Sequence, residues 1–155
     1  VRRNGKKVFL IGNGGSSGIA THFAADLFKT SNKKIKAISL VENIPLITAI
    51  TNDLGFDELY EYQLKILAES GDLLMAFSVH GGGKYSNNLI KAINYAKENG
   101  IKTIGIAAFD GGLMKNSCDI FYHIKINSTL HAESFMSFLC HLITFFLKEE
   151  NEDIY

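Results

Sequence analysis

The chain has 155 residues with sixteen basic and sixteen acidic side chains, so its formal net charge at pH 7 is zero. A balanced charge offers no basic surface, so binding to nucleic acid is not expected. No unbroken apolar run reaches the ~18 residues of a membrane span, so a membrane is not expected as a partner either. The length suits one domain, residues 1–155, and two cysteines without a close motif indicate free thiols in a reducing cytoplasm.

Strand and helix patterns alternate along the whole chain. The predicted strands are 8–11, 36–41, 73–77, 103–107 and 120–126. The predicted helices are 44–50, 56–68, 87–98 and 130–148, together with one that starts near residue 16 and a short one after residue 112. Repeated strand–turn–helix units predict an α/β fold, a doubly wound five-stranded parallel sheet flanked by helices, of the flavodoxin-like kind.

The first turn follows the apolar strand at 8–11. Gly12, Gly14 and Gly15 free its backbone, and Ser16 or Ser17 can cap the next helix. Backbone N–H groups and the positive end of a helix dipole at such a turn suit a phosphate. A dinucleotide fingerprint fails because Ser17 stands where its last glycine belongs, and a nucleoside-triphosphate loop lacks its lysine, so no nucleotide cofactor is expected.

Two more glycine-rich turns follow later strands, at 78–86 and 110–112. Because parallel strands end at one edge of a sheet, the three turns should converge on one site. An ordinary glycine turn is the alternative for any single loop, but three converging loops favour a site for a phosphorylated small molecule. His22 and Asp26, four residues apart, share one face of the first helix beside it.

Five segments together resemble the sugar isomerase (SIS) domain family. They are 12–16 (GNGGS), 22–26 (HFAAD), 52–56 (NDLGF), 103–105 (TIG) and 110–112 (DGG). Within that family the chain is most similar to the phosphoheptose isomerase branch, over nearly its whole length. The resemblance implies an aldose–ketose isomerase acting on sedoheptulose 7-phosphate through an enediol, assembled as a homotetramer. It also implies an N-terminal helical segment, used in assembly, that this sequence does not contain.

The resemblance implies roles for individual residues. Those that would contact the phosphosugar are Asn13, Gly14, Gly15, Ser16, Asn52, Asp53, Ser78, Val79, His80, Ser86 and Glu133. The catalytic base would be Asp26 and the acid His141. Some members bind zinc, whose ligands here would be His22, Asp26, Glu133 and His141.

The sequence departs from the family pattern at three of these positions. Asp26 stands for a glutamate one methylene longer, and a misplacement of ~1 Å can cost ~100-fold in rate. His80 replaces a phosphate-binding serine, in a turn that also gains Lys84, and either side chain can bind an anion. Glu133 replaces a glutamine, adds a negative charge and lies about 12 Å of helix from His141.

Two other functions stay open from the sequence. A non-catalytic phosphosugar-binding or regulatory protein-binding module would keep the fold without turnover. The hypothesis of a nicotinamide-dependent enzyme is supported only by Glu42, near the end of the second predicted strand, because the glycine fingerprint is absent. His123 and His131 are predicted to be structural, Tyr60 and Tyr62 to pack, and the apolar last helix to contact another subunit.

Overall fold

Residues 4–30 and 35–148 are described by a computed structural model. The strands are β1 (Lys7–Gly12), β2 (Lys36–Ser39), β3 (Leu73–Ser78), β4 (Lys102–Ala107) and β5 (Ile120–His123). The helices are α1 (Gly15–Thr30), α2 (Ile44–Asp53), α3 (Leu59–Leu67), α4 (Asn87–Glu98), α5 (Met114–Ser117) and α6 (Thr129–Leu147), with a 3-10 helix at Phe56–Glu58 before α3. The strands pair in parallel in the order β2-β1-β3-β4-β5, which confirms the predicted flavodoxin-like fold.

The central strands are buried on both faces, as their continuous apolar runs predict. Successive side chains point to opposite faces of a strand, so β1 contributes to two cores. Leu10 and Met75 face a core covered by α1 and α6. Phe9 and Leu74 face a second core covered by α3 and α4. Helices therefore lie on both faces of the sheet, and the loops at its carboxyl edge are left free to form a site.

Several predicted boundaries differ from the structure. The helix predicted over 56–68 begins as the 3-10 helix and continues as α3, and the differences at β2, α2 and β5 have the following reasons. β2 ends at Ser39 because Leu40 makes the last bond to β1 and Asn43 then caps α2 by accepting a hydrogen bond from the Leu46 amide. α2 continues to Asp53, three residues beyond the predicted end of this helix at residue 50. β5 ends at His123 because its one neighbour, β4, ends beside it at Ala107.

Helix α6 is strongly apolar and largely exposed. Its buried residues are Ala132, Met136, Cys140 and Thr144. Phe138 and Phe145 are exposed on other faces. Among the described helices, α6 alone has a length and composition that would also suit a membrane span, although Ser137, His141 and Thr144 interrupt its apolar run. In the structure α6 packs along α1 over the sheet.

The turns that follow β3 and β4 pack backbone against backbone. Gly81 and Gly112 have φ angles of +70° and +51°, which residues with a side chain rarely adopt. A Cβ on Gly81 would overlap the Gly111 carbonyl, and one on Gly112 would overlap the His80 carbonyl. The Met114 amide also donates to the Gly81 carbonyl at 2.9 Å. The two turns therefore form one continuous wall.

We expect Gly81→Ala to destabilise the protein more than Gly5→Ala. The two glycines have similar φ angles, +70° and +65°, so each alanine adopts a left-handed backbone at a cost of about 1–2 kcal/mol. Nothing lies near a Cβ on Gly5, whereas one on Gly81 meets backbone atoms, which adds about 1–3 kcal/mol. Urea denaturation of the full chain measures both free energies of unfolding. Equal losses would contradict the packing of the two turns.

Candidate active site

The three turns at the carboxyl ends of β1, β3 and β4 enclose one cleft of about 520 Å³. This confirms the predicted convergence of the turns. The predicted substrate residues that line the cleft are Asn13, Gly14, Gly15, Ser16, Ser78, Val79, His80, Ser86 and Glu133. Asn52 and Asp53 are not among the lining residues; they lie exposed in the last turn of α2, where the Asn52 amide donates to the Asp53 carboxylate at 2.7 Å.

The wall formed by residues 78–86 presents both hydroxyl and cationic groups to the cleft. The Ser78 hydroxyl oxygen accepts from the Gly81 amide at 3.0 Å, so its own proton is available to an acceptor in the cleft. The His80 ring packs against Phe109, with 4.3 Å between the ring centroids. Lys84 Nζ lies 5.3 Å from the ring centroid of Tyr85. This wall has the donors and positive charge that a phosphate group requires.

Ser86 ends this wall in a conformation uncommon for its residue type. Its φ of +59° lies in the left-handed region, and its side chain does not cap α4, which it precedes. Such backbone conformations in residues other than glycine cluster at ligand sites, where the surrounding structure maintains them. Ser86 lines the cleft, so its hydroxyl is free to contact a ligand there.

Glu133 lies at the mouth of the cleft, against the first residue of α1. A Cβ on Gly15 would come within 2.8 Å of both carboxylate oxygens of Glu133, so the side chain passes directly over the glycine backbone. The positive end of the α1 dipole stabilises a carboxylate at this position. Glu133 and Gly15 also line a neighbouring shallow groove that runs to His22, so the cleft continues toward the first helix.

His22, Asp26 and His141 form one cluster beside that groove. Asp26 Oδ2 lies 3.5 Å from His22 Nε2 and 3.6 Å from His141 Nε2. The two Nε2 atoms lie 2.9 Å apart, so one ring donates and the other accepts. The i,i+4 spacing on α1 brings the first two residues together, and the packing of α6 on α1 adds the third.

The cluster has the composition and spacing of a metal site. Its three ligand atoms lie within 4.8 Å of one another. A tetrahedral zinc with bonds of about 2.0–2.2 Å separates its ligands by about 3.3–3.6 Å, which matches both contacts of Asp26. The 2.9 Å between the two Nε2 atoms is shorter than this range, so the two rings would have to move apart slightly to share an ion. Glu133, the fourth predicted ligand, lies outside this group because it sits near the start of α6 while His141 lies two turns further along.

Two residues without a predicted role in the site, Tyr60 and Asn88, contact the first turn. The Tyr60 hydroxyl donates to the Gly12 carbonyl, and Asn88 exchanges amide hydrogen bonds with Asn13. Tyr60 is buried, as its predicted packing role requires, but its hydroxyl partner was not foreseen. The helical spacing could have indicated that Asn88 is buried, because Asn88 and Ala92 are four residues apart and lie on the same buried face of α4.

The SIS domain family matches residues 1–108 of the chain. The chain is 38% identical over 144 residues to the phosphoheptose isomerase of Campylobacter concisus (strain 13826), which covers 91% of this chain and 75% of that protein. It is 42% identical over 130 residues to the phosphoheptose isomerase of Aliarcobacter butzleri (strain RM4018), covering 82% and 67%. The solved structure of phosphoheptose isomerase from Neisseria gonorrhoeae superposes with a TM-score of 0.86 at 29% identity, over 94% of this chain and 77% of that one.

Proposed function

The chain belongs to the SIS domain family and to its phosphoheptose isomerases, and from this premise we propose that it interconverts sedoheptulose 7-phosphate and a heptose 7-phosphate. The observation that carries the proposal is the continuity of the site. The cleft of three turns joins, through Gly15 and Glu133, the groove that reaches His22 and its cluster. Enzyme relatives at this level of identity favour turnover over a non-catalytic binding module.

We place the phosphate at the wall formed by residues 78–86. Ser78, Ser86, His80 and Lys84 offer hydroxyl and cationic donors there. The Glu133 carboxylate lies over the start of α1, where its negative charge would repel a phosphate. The wall formed by residues 78–86 is therefore the anion site. Binding energy from this remote phosphate fixes the reacting carbons at the other end of the site.

The distance along α1 favours a substrate with a long carbon chain. His22 follows Gly15 by seven residues, which corresponds to about 10 Å of helix. An extended seven-carbon sugar with its phosphoester spans a comparable distance, whereas a triose phosphate falls well short of it. The length of α1 between the cleft and the cluster is therefore compatible with a heptose phosphate as substrate.

The cluster supplies the acid and base for aldose–ketose exchange. Asp26 accepts the proton from the carbon next to the carbonyl, and His141 donates a proton to the carbonyl oxygen, which gives an enediol. Asp26 then returns its proton to the neighbouring carbon while His141 takes one from the other hydroxyl. No atom is gained or lost in the two steps, and the double bond to oxygen moves by one carbon.

We propose that the same cluster holds zinc through His22, Asp26 and His141. Their spacing supports this, and three protein ligands leave a fourth position open to substrate, as in catalytic zinc sites. A bound zinc would polarise the substrate carbonyl and stabilise developing negative charge on its oxygen, and it would take the place of His141 as the acid, because Nε2 of a ligating ring carries no proton. Without the metal, the imidazole of His22 orients Asp26 through their contact at 3.5 Å.

We further propose that the chain, as one SIS domain in the cytoplasm, assembles as a homotetramer. Exposed apolar side chains of α6 support an assembly, because Phe138, Phe145 and Phe146 are each more than half exposed. Phe145 also lines the surface beside His22 and His141, so a second subunit on α6 would shield the cluster from water. Two free thiols, Cys118 and Cys140, fit a reducing compartment.

Removal of either proposed acid–base group should abolish most turnover. We expect Asp26→Asn and His141→Ala to lower kcat on sedoheptulose 7-phosphate by about 10²–10⁴-fold, with little change in folding. His131→Ala is the matched control, because its ring contacts Ser128 away from the cleft. Aldose formation by the full chain is followed with and without added zinc. An Asp26→Asn enzyme as fast as the wild type would refute the assignment.

Zinc affinity gives a readout independent of turnover. We expect the wild-type chain to retain one zinc per chain in equilibrium dialysis, and His22→Ala to weaken that binding at least tenfold. His131→Ala should bind zinc as the wild type does. Equal zinc content in the His22→Ala and His131→Ala proteins would exclude the cluster as the metal site.

Lys84 should contribute to phosphate binding rather than to chemistry. We expect Lys84→Met to raise KM about tenfold, as loss of a charge-assisted contact predicts, with kcat nearly unchanged. The effect should shrink at high ionic strength because the side chain is exposed. Lys102→Met removes a lysine from the start of β4, at the opposite edge of the sheet, and should leave KM unchanged. A KM equal to that of the control would place the phosphate elsewhere.

A further inference from the structure

We infer that Asn88 and Tyr60 are positioning residues that hold the Asn13 amide as a hydrogen-bond donor toward an oxygen of the bound phosphosugar. This inference rests on the proposed function, because Asn13 lines the cleft in which the substrate is placed. Neither Asn88 nor Tyr60 lines that cleft, so each acts through Asn13 and not by contact with the ligand.

Asn13 and Asn88 form a reciprocal amide pair. Asn13 Nδ2 donates to Asn88 Oδ1 at 2.9 Å, and Asn88 Nδ2 donates to Asn13 Oδ1 at 3.1 Å. The pair joins the turn after β1 to the start of α4, which are 75 residues apart in sequence. Asn88 is completely buried, so its amide has no water to replace a lost partner.

The backbone of α4 fixes the direction of this pair. The Leu89 amide donates to Asn88 Oδ1 at 3.0 Å, which requires the oxygen of Asn88 on that side. Asn88 Nδ2 must then face Asn13, and only the oxygen of Asn13 can accept from it. The orientation of the Asn13 amide is thus determined by a backbone N–H that belongs to another element of the fold.

Tyr60 fixes the same turn from the opposite side. Its hydroxyl donates to the Gly12 carbonyl and lies 3.2 Å from Asn13 Oδ1. Burial raises the pKa of Tyr60 above its ordinary value, so the phenol remains a neutral donor throughout the physiological range. The side chain is almost fully buried in the core under α3, which holds the hydroxyl in place.

The hydrogen bonds leave Asn13 with one remaining capacity. Its oxygen accepts from the Asn88 amide, and the Tyr60 hydroxyl, whose single proton goes to the Gly12 carbonyl, lies beside it at 3.2 Å. One hydrogen of Nδ2 is used by Asn88, and the second is left for the cleft. Asn13 therefore offers the substrate an N–H donor. Its partner is a phosphate, carbonyl or hydroxyl oxygen that accepts a hydrogen bond.

A double-mutant cycle tests whether Asn88 acts through Asn13. Binding of sedoheptulose 7-phosphate is measured by calorimetry with the full chain carrying Asp26→Asn, so that turnover does not interfere. We expect Asn13→Ala and Asn88→Ala each to weaken Kd about tenfold, and the double variant to match Asn13→Ala alone. Additive losses of about a hundredfold would show that Asn88 has only a structural role and would overturn the inference.

Tyr60→Phe provides a second double-mutant cycle, which tests the positioning of Asn13 if Asn88→Ala does not fold. It keeps the buried ring and removes the hydroxyl, so we expect a Kd several-fold weaker in the Asp26→Asn protein and unchanged when Asn13→Ala is also present. Tyr62→Phe, on the exposed side of α3, is the matched control. The same loss in both Asn13 backgrounds would overturn the inference while leaving the isomerase proposal intact. Absence of any binding by the parent chain would instead overturn both.

Discussion

The candidate site depends on the packing of α1 against α6, two helices from opposite ends of the sequence, on one face of the sheet. Small buried side chains, Ala20 on α1 and Ala132 on α6, let the two helices approach closely. His22 and Asp26 come together through helix geometry alone, whereas His141 joins them across 119 residues of sequence only because the helices pack. The cluster is therefore a product of the tertiary fold, and local loss of α6 would disperse it while leaving the cleft of turns largely in place.

Under the proposed function, the two ends of the site have different tasks. The loops at the carboxyl edge of the sheet, where backbone amides and flexible side chains adapt to a ligand, would recognise the phosphate. Side chains on two long helices, whose positions are fixed by a buried core, would transfer the protons. This arrangement places the groups that need accurate geometry on the most rigid elements. It leaves binding energy to the loops, which can use the phosphate to position the rest of the sugar.

Much of the architecture was predictable because its signals are local. Apolar runs, three of them followed by glycine turns, and their alternation with helix patterns predicted all five strands and their parallel pairing. Boundaries were less predictable where tertiary contacts end an element: β2 stops at Ser39 when Asn43 caps the next helix, and β5 stops where β4 stops. For the same reason the hydroxyl partner of Tyr60 could not be read from its apolar spacing, since Gly12 lies 48 residues away.

The wall formed by residues 78–86 shows how a binding loop can change its chemistry without losing its shape. Its backbone is held by close contact between Gly81 and the turn at 110–112, and by the Ser78 hydroxyl, none of which depends on the side chains at 80 or 84. A change at the exposed Lys84 therefore costs little in folding, whereas the His80 ring also packs against Phe109. His80 stands where the family resemblance implies a phosphate-binding serine, and Lys84 is an addition to the turn. Under the proposed function, a ring nitrogen and a lysine charge thus replace hydroxyl contacts on a loop whose backbone is fixed by glycine contacts, while buried amides position Asn13 on the opposite wall.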